Sequence, residues 1–143
     1  MSLWVLDTDH ISLFQRGNSQ VIKRLSNINS KHRAVTIITV EESLRGWLKT
    51  IKDAKTVDKL VKAYADLKET REFFNTIYVL DFDQEAGNYY TELKRQKIRI
   101  GTQDLKIASI VLSQQAILVT RNRQHFEKIP NLLIQDWTIP PTF

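Results

Sequence analysis

Apolar positions along this chain switch between two spacings. Unbroken runs at residues 3–6 (LWVL), 34–39 (AVTIIT), 77–80 (IYVL) and 116–120 (AILVT) lack the polar alternation of a sheet with one wet face. They therefore predict strands buried on both faces. Residues 132–134 make a shorter fifth candidate. Between these runs the spacing turns helical: Val21, Ile22, Leu25 and Ile28; Val57, Leu60, Val61 and Tyr64; Ala86, Tyr89, Tyr90 and Leu93. Each set follows i, i+3, i+4, i+7 or a near variant, and we read most of these positions as core. A further helix over residues 104–113 is apolar on most faces, which predicts deep packing against the sheet. Strands alternating with helices predict an α/β fold in which a mainly parallel sheet is covered on both sides.

Composition narrows the class. A chain of 143 residues is one domain's worth, and at this length about 68–70% of the unfolded surface becomes buried, enough for a core without staples. Four Gly and three Pro, two of them adjacent at Pro140 and Pro141, leave no linker, so residues 1–143 are expected to form a single domain. The absence of Cys excludes thiolate zinc sites, iron–sulfur clusters and disulfide scaffolds, and fits a reducing compartment. No apolar stretch approaches the roughly 18 residues of a membrane span, and Asp7 interrupts the N-terminus before a secretory apolar region can form. A soluble, unprocessed, cytoplasmic protein is expected. With 21 Lys and Arg against 16 Asp and Glu the net charge is +5, which favours a polyanionic partner and equally serves plain solubility.

In parallel α/β sheets ligands bind outside the carboxyl ends of the strands. Four polar positions fall there. Asp7 follows the first strand within Leu6-Asp7-Thr8-Asp9-His10, and Thr39-Val40-Glu41-Glu42 opens a helix after the second. Asp104 follows Ile100-Gly101-Thr102-Gln103, and the late strand runs into Arg121-Asn122-Arg123. Each has a local explanation: Asp7 or Asp9 as a helix cap, Thr39-x-x-Glu42 as a capping box, Asp104 beside a helix dipole, Asn122 as a turn residue. Capping does not explain why three carboxylates would gather at one edge, where like charges raise one another's pKa. A divalent cation resolves that conflict. Oxygen donors point to Mg²⁺ or Mn²⁺, and His10, His32 and His125 make no zinc set. Such an ion suits phosphodiester hydrolysis, with Arg16, Lys94, Arg95, Lys97, Arg99, Arg121 and Arg123 as candidate backbone contacts or simply a solvated face.

Four segments taken in order resemble one family: Leu6 to Asp9, Ile38 to Gly46, Ile100 to Ala108, and Leu118 to Phe126. Together they are similar to the PIN-domain ribonucleases, specifically the VapC-like toxins of type II toxin–antitoxin systems, over nearly the whole chain from Leu3 to about Trp137. The resemblance implies a Rossmann-like three-layer α/β/α sandwich and a Mg²⁺- or Mn²⁺-dependent endoribonuclease that leaves a 5′-phosphate. It also implies a homodimer inhibited by a small antitoxin whose C-terminal segment fills the site. Carried over by position, Asp7 and Asp104 are the main metal ligands, Glu42 completes the acidic set, and Asn122 holds the fourth catalytic position. Thr8, Arg121 and Arg123 would contact substrate. Glu41 is set aside, because the family glutamate lies four residues before the helix glycine, here Gly46. The segment 57–74 and the region near Trp47 would serve dimerisation or antitoxin binding.

Two positions depart from the family pattern. Asp9 stands where Asn is frequent, and His125 stands where an acid commonly precedes the Phe; of the two readings of His125, substrate contact or surface, we favour surface. The neutral Asn122 puts a second metal in doubt. Two rivals carry other chemistry: a haloacid-dehalogenase-type phosphatase, on the strength of Asp7-Thr8-Asp9, and a non-catalytic RNA-binding module.

Overall fold

The computed structural model describes residues 2–140; position 1, Pro141 and the end of the expected domain at 142–143 lie outside the described residues. Strand β1 (Trp4–Leu6) leads into helices α1 (Thr8–Gln15) and α2 (Ser19–Ser26), then β2 (Arg33–Thr36). Helices α3 (Ile37–Asp53) and α4 (Val57–Phe74) precede β3 (Tyr78–Leu80). Helices α5 (Gln84–Arg95) and α6 (Thr102–Ser113), β4 (Ile117–Val119), α7 (Arg123–Phe126) and β5 (Leu133–Gln135) complete the order. All pairings are parallel, in the order β3-β2-β1-β4-β5, with Val5 opposite both Ala34 and Leu118.

Successive strand residues feed opposite faces, which is why the strand runs carry no polar alternation. Val5, Ala34 and Leu118 pack under α5, α6 and Phe126 on one side. Leu6, Val35 and Val119 pack on the other side with Ile11, Val21, Leu25, Phe74 and Trp137. Helix α6 buries six of its twelve residues, as its nearly continuous apolar surface requires. No helix among the described residues is long and apolar enough to cross a membrane.

The structure corrects the reading of residues 34–39 as one strand. The strand stops at Thr36, whose backbone is still extended (φ −95°, ψ 159°) and whose hydroxyl accepts the Thr39 N–H at 3.1 Å. Thr36 is thus the N-cap, Ile37 to Thr39 form the first helical turn, and no capping box exists at Thr39. A buried cap hydroxyl outweighs the β preference of the branched residues that follow it. Thr36→Ala should cost about 1–2 kcal/mol of stability, read by urea denaturation, with the fold retained. An unchanged midpoint would remove the cap from this account.

A second correction concerns α4. Val57, Val61 and Tyr64, read as core, are 75%, 63% and 55% exposed, while the helix buries Ala63, Thr70 and Phe74 instead. Helix α4 packs mainly against α3 and joins the sheet-face core only at its Phe74 end, which leaves its apolar stripe exposed. Tyr89 is likewise partly exposed, although Ala86 and Leu93 on the same helix are core.

Candidate active site

Strands β2 and β3 lie to one side of β1, and β4 and β5 to the other. The chain therefore leaves β1 and β4 in different directions, and the crevice at their carboxyl ends is the switch point where parallel sheets bind ligands. Asp7 sits there, one residue beyond β1, with its N–H bonded to the Val119 carbonyl at 2.9 Å. It does cap α1, accepting the Thr8 N–H at 2.8 Å on Oδ1, but Oδ2 is engaged across the crevice by the Thr120 hydroxyl at 2.8 Å.

Asp7 is only 7% exposed. Burial, followed by the charge of Asp9, pushes its carboxyl up to about 7, with a smaller push from Asp104; the bonds from Thr120 and Thr8 oppose the rise. Glu42, on α3, accepts the Thr8 hydroxyl at 2.7 Å. Its carboxyl is also raised, first by burial and then by Asp104 and Glu41, against the Thr8 bond. Asp104 lies in the first turn of α6, where its Oδ2 is 3.3 Å from Asn122 Nδ2 and 3.3 Å from His125 Nδ1. Asn122 donates its own backbone N–H to the Thr120 hydroxyl at 3.0 Å.

Asp7, Thr8, Glu42, Asp104 and Asn122 are therefore assembled from four separate segments of the chain. Glu41 is bonded instead to Arg45 at 2.7 Å and to Gln103 at 2.9 Å. Asp9 is committed to His10 Nδ1 at 2.8 Å and to the Arg121 N–H at 3.1 Å. Buried His10 accepts the Trp137 N–H on Nε2, which ties this edge to the end of the chain.

The cationic candidates divide. Arg121 keeps its guanidinium 4.0 Å from Asp9 beside the site, and Arg123 is on α7, 3.4 Å from Glu127. Arg95 is locked to Glu92 at 2.6 Å, and its helix ends beside Gln115 and Ala116, ahead of β4 and so at the opposite edge of the sheet. Lys94 lies over the Tyr90 ring on the same helix, so these two are not site residues.

Two residues were not among the sequence candidates. Thr120 joins Asp7 to Asn122, and His125, read as surface, contacts both Asn122 and Asp104. For His125 the signal was available: three positions beyond Asn122 on a helix is the same face. Thr120→Val removes the donor to Asp7 and should weaken Mg²⁺ binding at pH 7 about tenfold, since a bond to a charged group contributes about 1.5–3 kcal/mol. Titration calorimetry checks it, and an unchanged affinity would refute the role.

The donor set fits a hard divalent ion. Asp104 acts on both Asp7 and Glu42, and a buried Asp7 disfavoured as an anion gains most from a cation in the crevice. Among the described residues no group of three Asp, Glu or His side chains comes close enough together to hold a metal ion as a cage. Mg²⁺ needs none, because it keeps several waters and takes one or two carboxylates.

Comparison with known proteins places this geometry. Ribonuclease VapC1 of Haemophilus influenzae is 30% identical over 139 residues, covering 95% of this chain and 98% of the relative. The tRNA(fMet)-specific endonuclease VapC of Salmonella typhimurium is 27% identical over 141 residues, covering 96% and 99%. The crystal structure of DNA-bound VapBC from Salmonella typhimurium superposes with a TM-score of 0.75 at 27% identity, covering 96% of this chain and 99% of that one. VapBC2 from Rickettsia felis, bound to a promoter DNA fragment, gives 0.74 at 27% identity, covering 94% and 98%. The PIN-domain profile matches residues 4–132, the stretch from β1 to the residue before β5 that builds the crevice. The chain belongs to the PIN-domain family.

Proposed function

We propose that this chain is a divalent-metal-dependent endoribonuclease, the toxin of a toxin–antitoxin pair, working in the cytoplasm as a homodimer. One observation carries the reading: Asp7, a buried acid pushed up to about 7, stands at the β1/β4 switch point within the field of Asp104. The family membership and the ribonuclease and VapBC names of the relatives support it. The exposed α4 stripe of Val57, Val61 and Tyr64 supports a protein partner, either the antitoxin or a second copy.

In this reading Asp7, Asp104 and Glu42 hold Mg²⁺ or Mn²⁺. An ion held there would make a coordinated water more acidic than bulk water and would offset charge gathering on the phosphate. Glu42, held by Thr8, orients the attacking water and takes its proton. Thr8, Arg121 and Arg123 position the phosphodiester, and Asn122 holds Asp104 in place. The new bond joins the water oxygen to phosphorus, the bond to the 3′ oxygen breaks, and that oxygen takes a proton from solvent, leaving a 5′-phosphate and a 3′-hydroxyl. A phosphatase of the haloacid-dehalogenase type needs its second acid free, and Asp9 is bonded to His10 and Arg121.

The test is incubation of end-labelled RNA with the protein in Mg²⁺, in Mn²⁺ and in EDTA. Internal cuts with 5′-phosphate ends are expected with either ion and none in EDTA. RNA bound equally in EDTA, with no new ends under any condition, would replace the enzyme by a binding module.

A further inference from the structure

His10 is fully buried, yet no step of the proposed reaction uses it. Its ring stands edge-on to the buried Trp137 indole, with centroids 6.4 Å apart, and both of its nitrogens are engaged. Nε2 lies 3.2 Å from the Trp137 backbone nitrogen, whose N–H can only donate, so Nε2 carries a lone pair and the ring proton is on Nδ1. Nδ1 therefore donates to Asp9 Oδ1 at 2.8 Å. Asp136 Oδ1, 3.7 Å from Nε2, already accepts the N–H and the hydroxyl of Thr138 at 2.8 and 2.6 Å.

The other Asp9 oxygen accepts the Arg121 N–H at 3.1 Å, which completes a line of three hydrogen bonds from the segment after β5, through α1, to the turn after β4. That turn builds the site. Thr120, one residue before Arg121, holds Asp7 at 2.8 Å, and Asn122, one residue after, meets Asp104 at 3.3 Å. Asp9 grips the turn at the residue between them. Both groups facing Asp9 are donors, so the position needs two acceptor oxygens; a carboxylate supplies them, and an amide, with one oxygen and one NH₂, does not. A His at position 10 with its proton on Nδ1 thus accounts for an acid at position 9, where the family often has Asn.

We infer that His10 is a positioning residue for the proposed cleavage: through Asp9 it fixes the Thr120–Arg121–Asn122 turn, and with it the setting of Asp7 and Asp104. The inference rests on the metal-dependent reading and goes beyond it, since it gives a side chain sealed from solvent control over groups on the far side of Asp9. The physical reason is that a carboxylate left to itself rotates, whereas one oxygen held by a buried ring leaves the other aimed at the Arg121 N–H.

Two amides separate the two halves of the ring. His10→Asn puts an amide N–H near the Nδ1 position and keeps a donor for Asp9, and His10→Gln puts an amide oxygen near the Nε2 position and keeps an acceptor for Trp137. Both lose the ring's packing against Trp137, so a merely structural role predicts the same damage from each. Hydrogen exchange of the Arg121 amide is measured by NMR on the metal-free proteins, and kcat is measured on RNA in Mg²⁺. His10→Gln should speed Arg121 exchange and lower kcat, each about tenfold, while His10→Asn stays within about twofold of the wild type in both. Equal losses in the two variants would make His10 a packing residue and overturn the inference, as would an Arg121 amide indifferent to His10→Gln. Should neither variant fold, Asp9→Ala, at a side chain 26% exposed, takes their place: about tenfold changes in both readouts support the inference, and no change in either one overturns it. In every overturning case the wild type still cuts RNA and the metal-dependent reading stands. A wild type that makes no cut with Mg²⁺ or Mn²⁺ would instead remove the reading and the inference together.

Discussion

Asp7→Asn is expected to lower RNA cleavage by about 10³-fold or more while making the metal-free protein more stable at alkaline pH. The first effect is what the proposed metal-ligand role of Asp7 at the switch point requires. The second follows from the sign of the shift. The Asp7 carboxyl rises from 3.8 unfolded to about 7 folded, so the fold favours the protonated acid. Below the unfolded value the acid is protonated in both states and carries no penalty. The penalty grows as pH climbs from about 4 to about 7 and is fully present above that; at 1.36 kcal/mol per unit it reaches about 4 kcal/mol. Asparagine keeps an oxygen for the Thr8 N–H and offers an amide proton to Thr120, without the charge. In EDTA at pH 8 the variant should melt several degrees above the wild type, and near pH 4 the two should coincide. A variant that melts lower at pH 8 would mean that Asp7 is a stabilising cap and nothing more.

Asp104→Asn is the second large effect. Its charge acts on both Asp7 and Glu42, and its side chain meets Asn122 and His125, so one substitution touches every part of the site. Cleavage should fall by about 10³-fold and Mg²⁺ affinity at least about tenfold. Glu41→Gln is the matched control, since Glu41 faces Arg45 and Gln103 and should retain activity within about twofold. Steady-state cleavage of one RNA by the three proteins decides it; comparable losses in Glu41→Gln and Asp104→Asn would mean the acids act through bulk charge. The wild type carries a related signature. If Asp7 binds the ion as proposed, it must first release its proton, and apparent Mg²⁺ affinity should fall about tenfold per unit below pH 7.

The alternation of strands and helices was legible because short apolar runs and helical spacing differ in kind, and the acids were legible because they stand at the ends of those runs. Boundaries were less so. Residues 34–39 are β-branched almost throughout, yet a single hydroxyl at Thr36 ends the strand. The α4 stripe shows a second limit: periodicity finds an apolar face but not whether anything covers it. Site residues that act through others were hardest to find. Thr120 reads as the tail of a strand, and its two bonds depend on β1 and β4 lying side by side, a pairing that no local pattern states.

That pairing has a consequence for synthesis. The hydroxyl that anchors Asp7 comes from a residue 113 positions later, so the first strand to leave the ribosome waits for nearly the last. A half-made copy has neither its Thr120 anchor nor Asp104. The proposed site is therefore assembled only when synthesis is nearly complete, and only a finished molecule can carry the proposed activity.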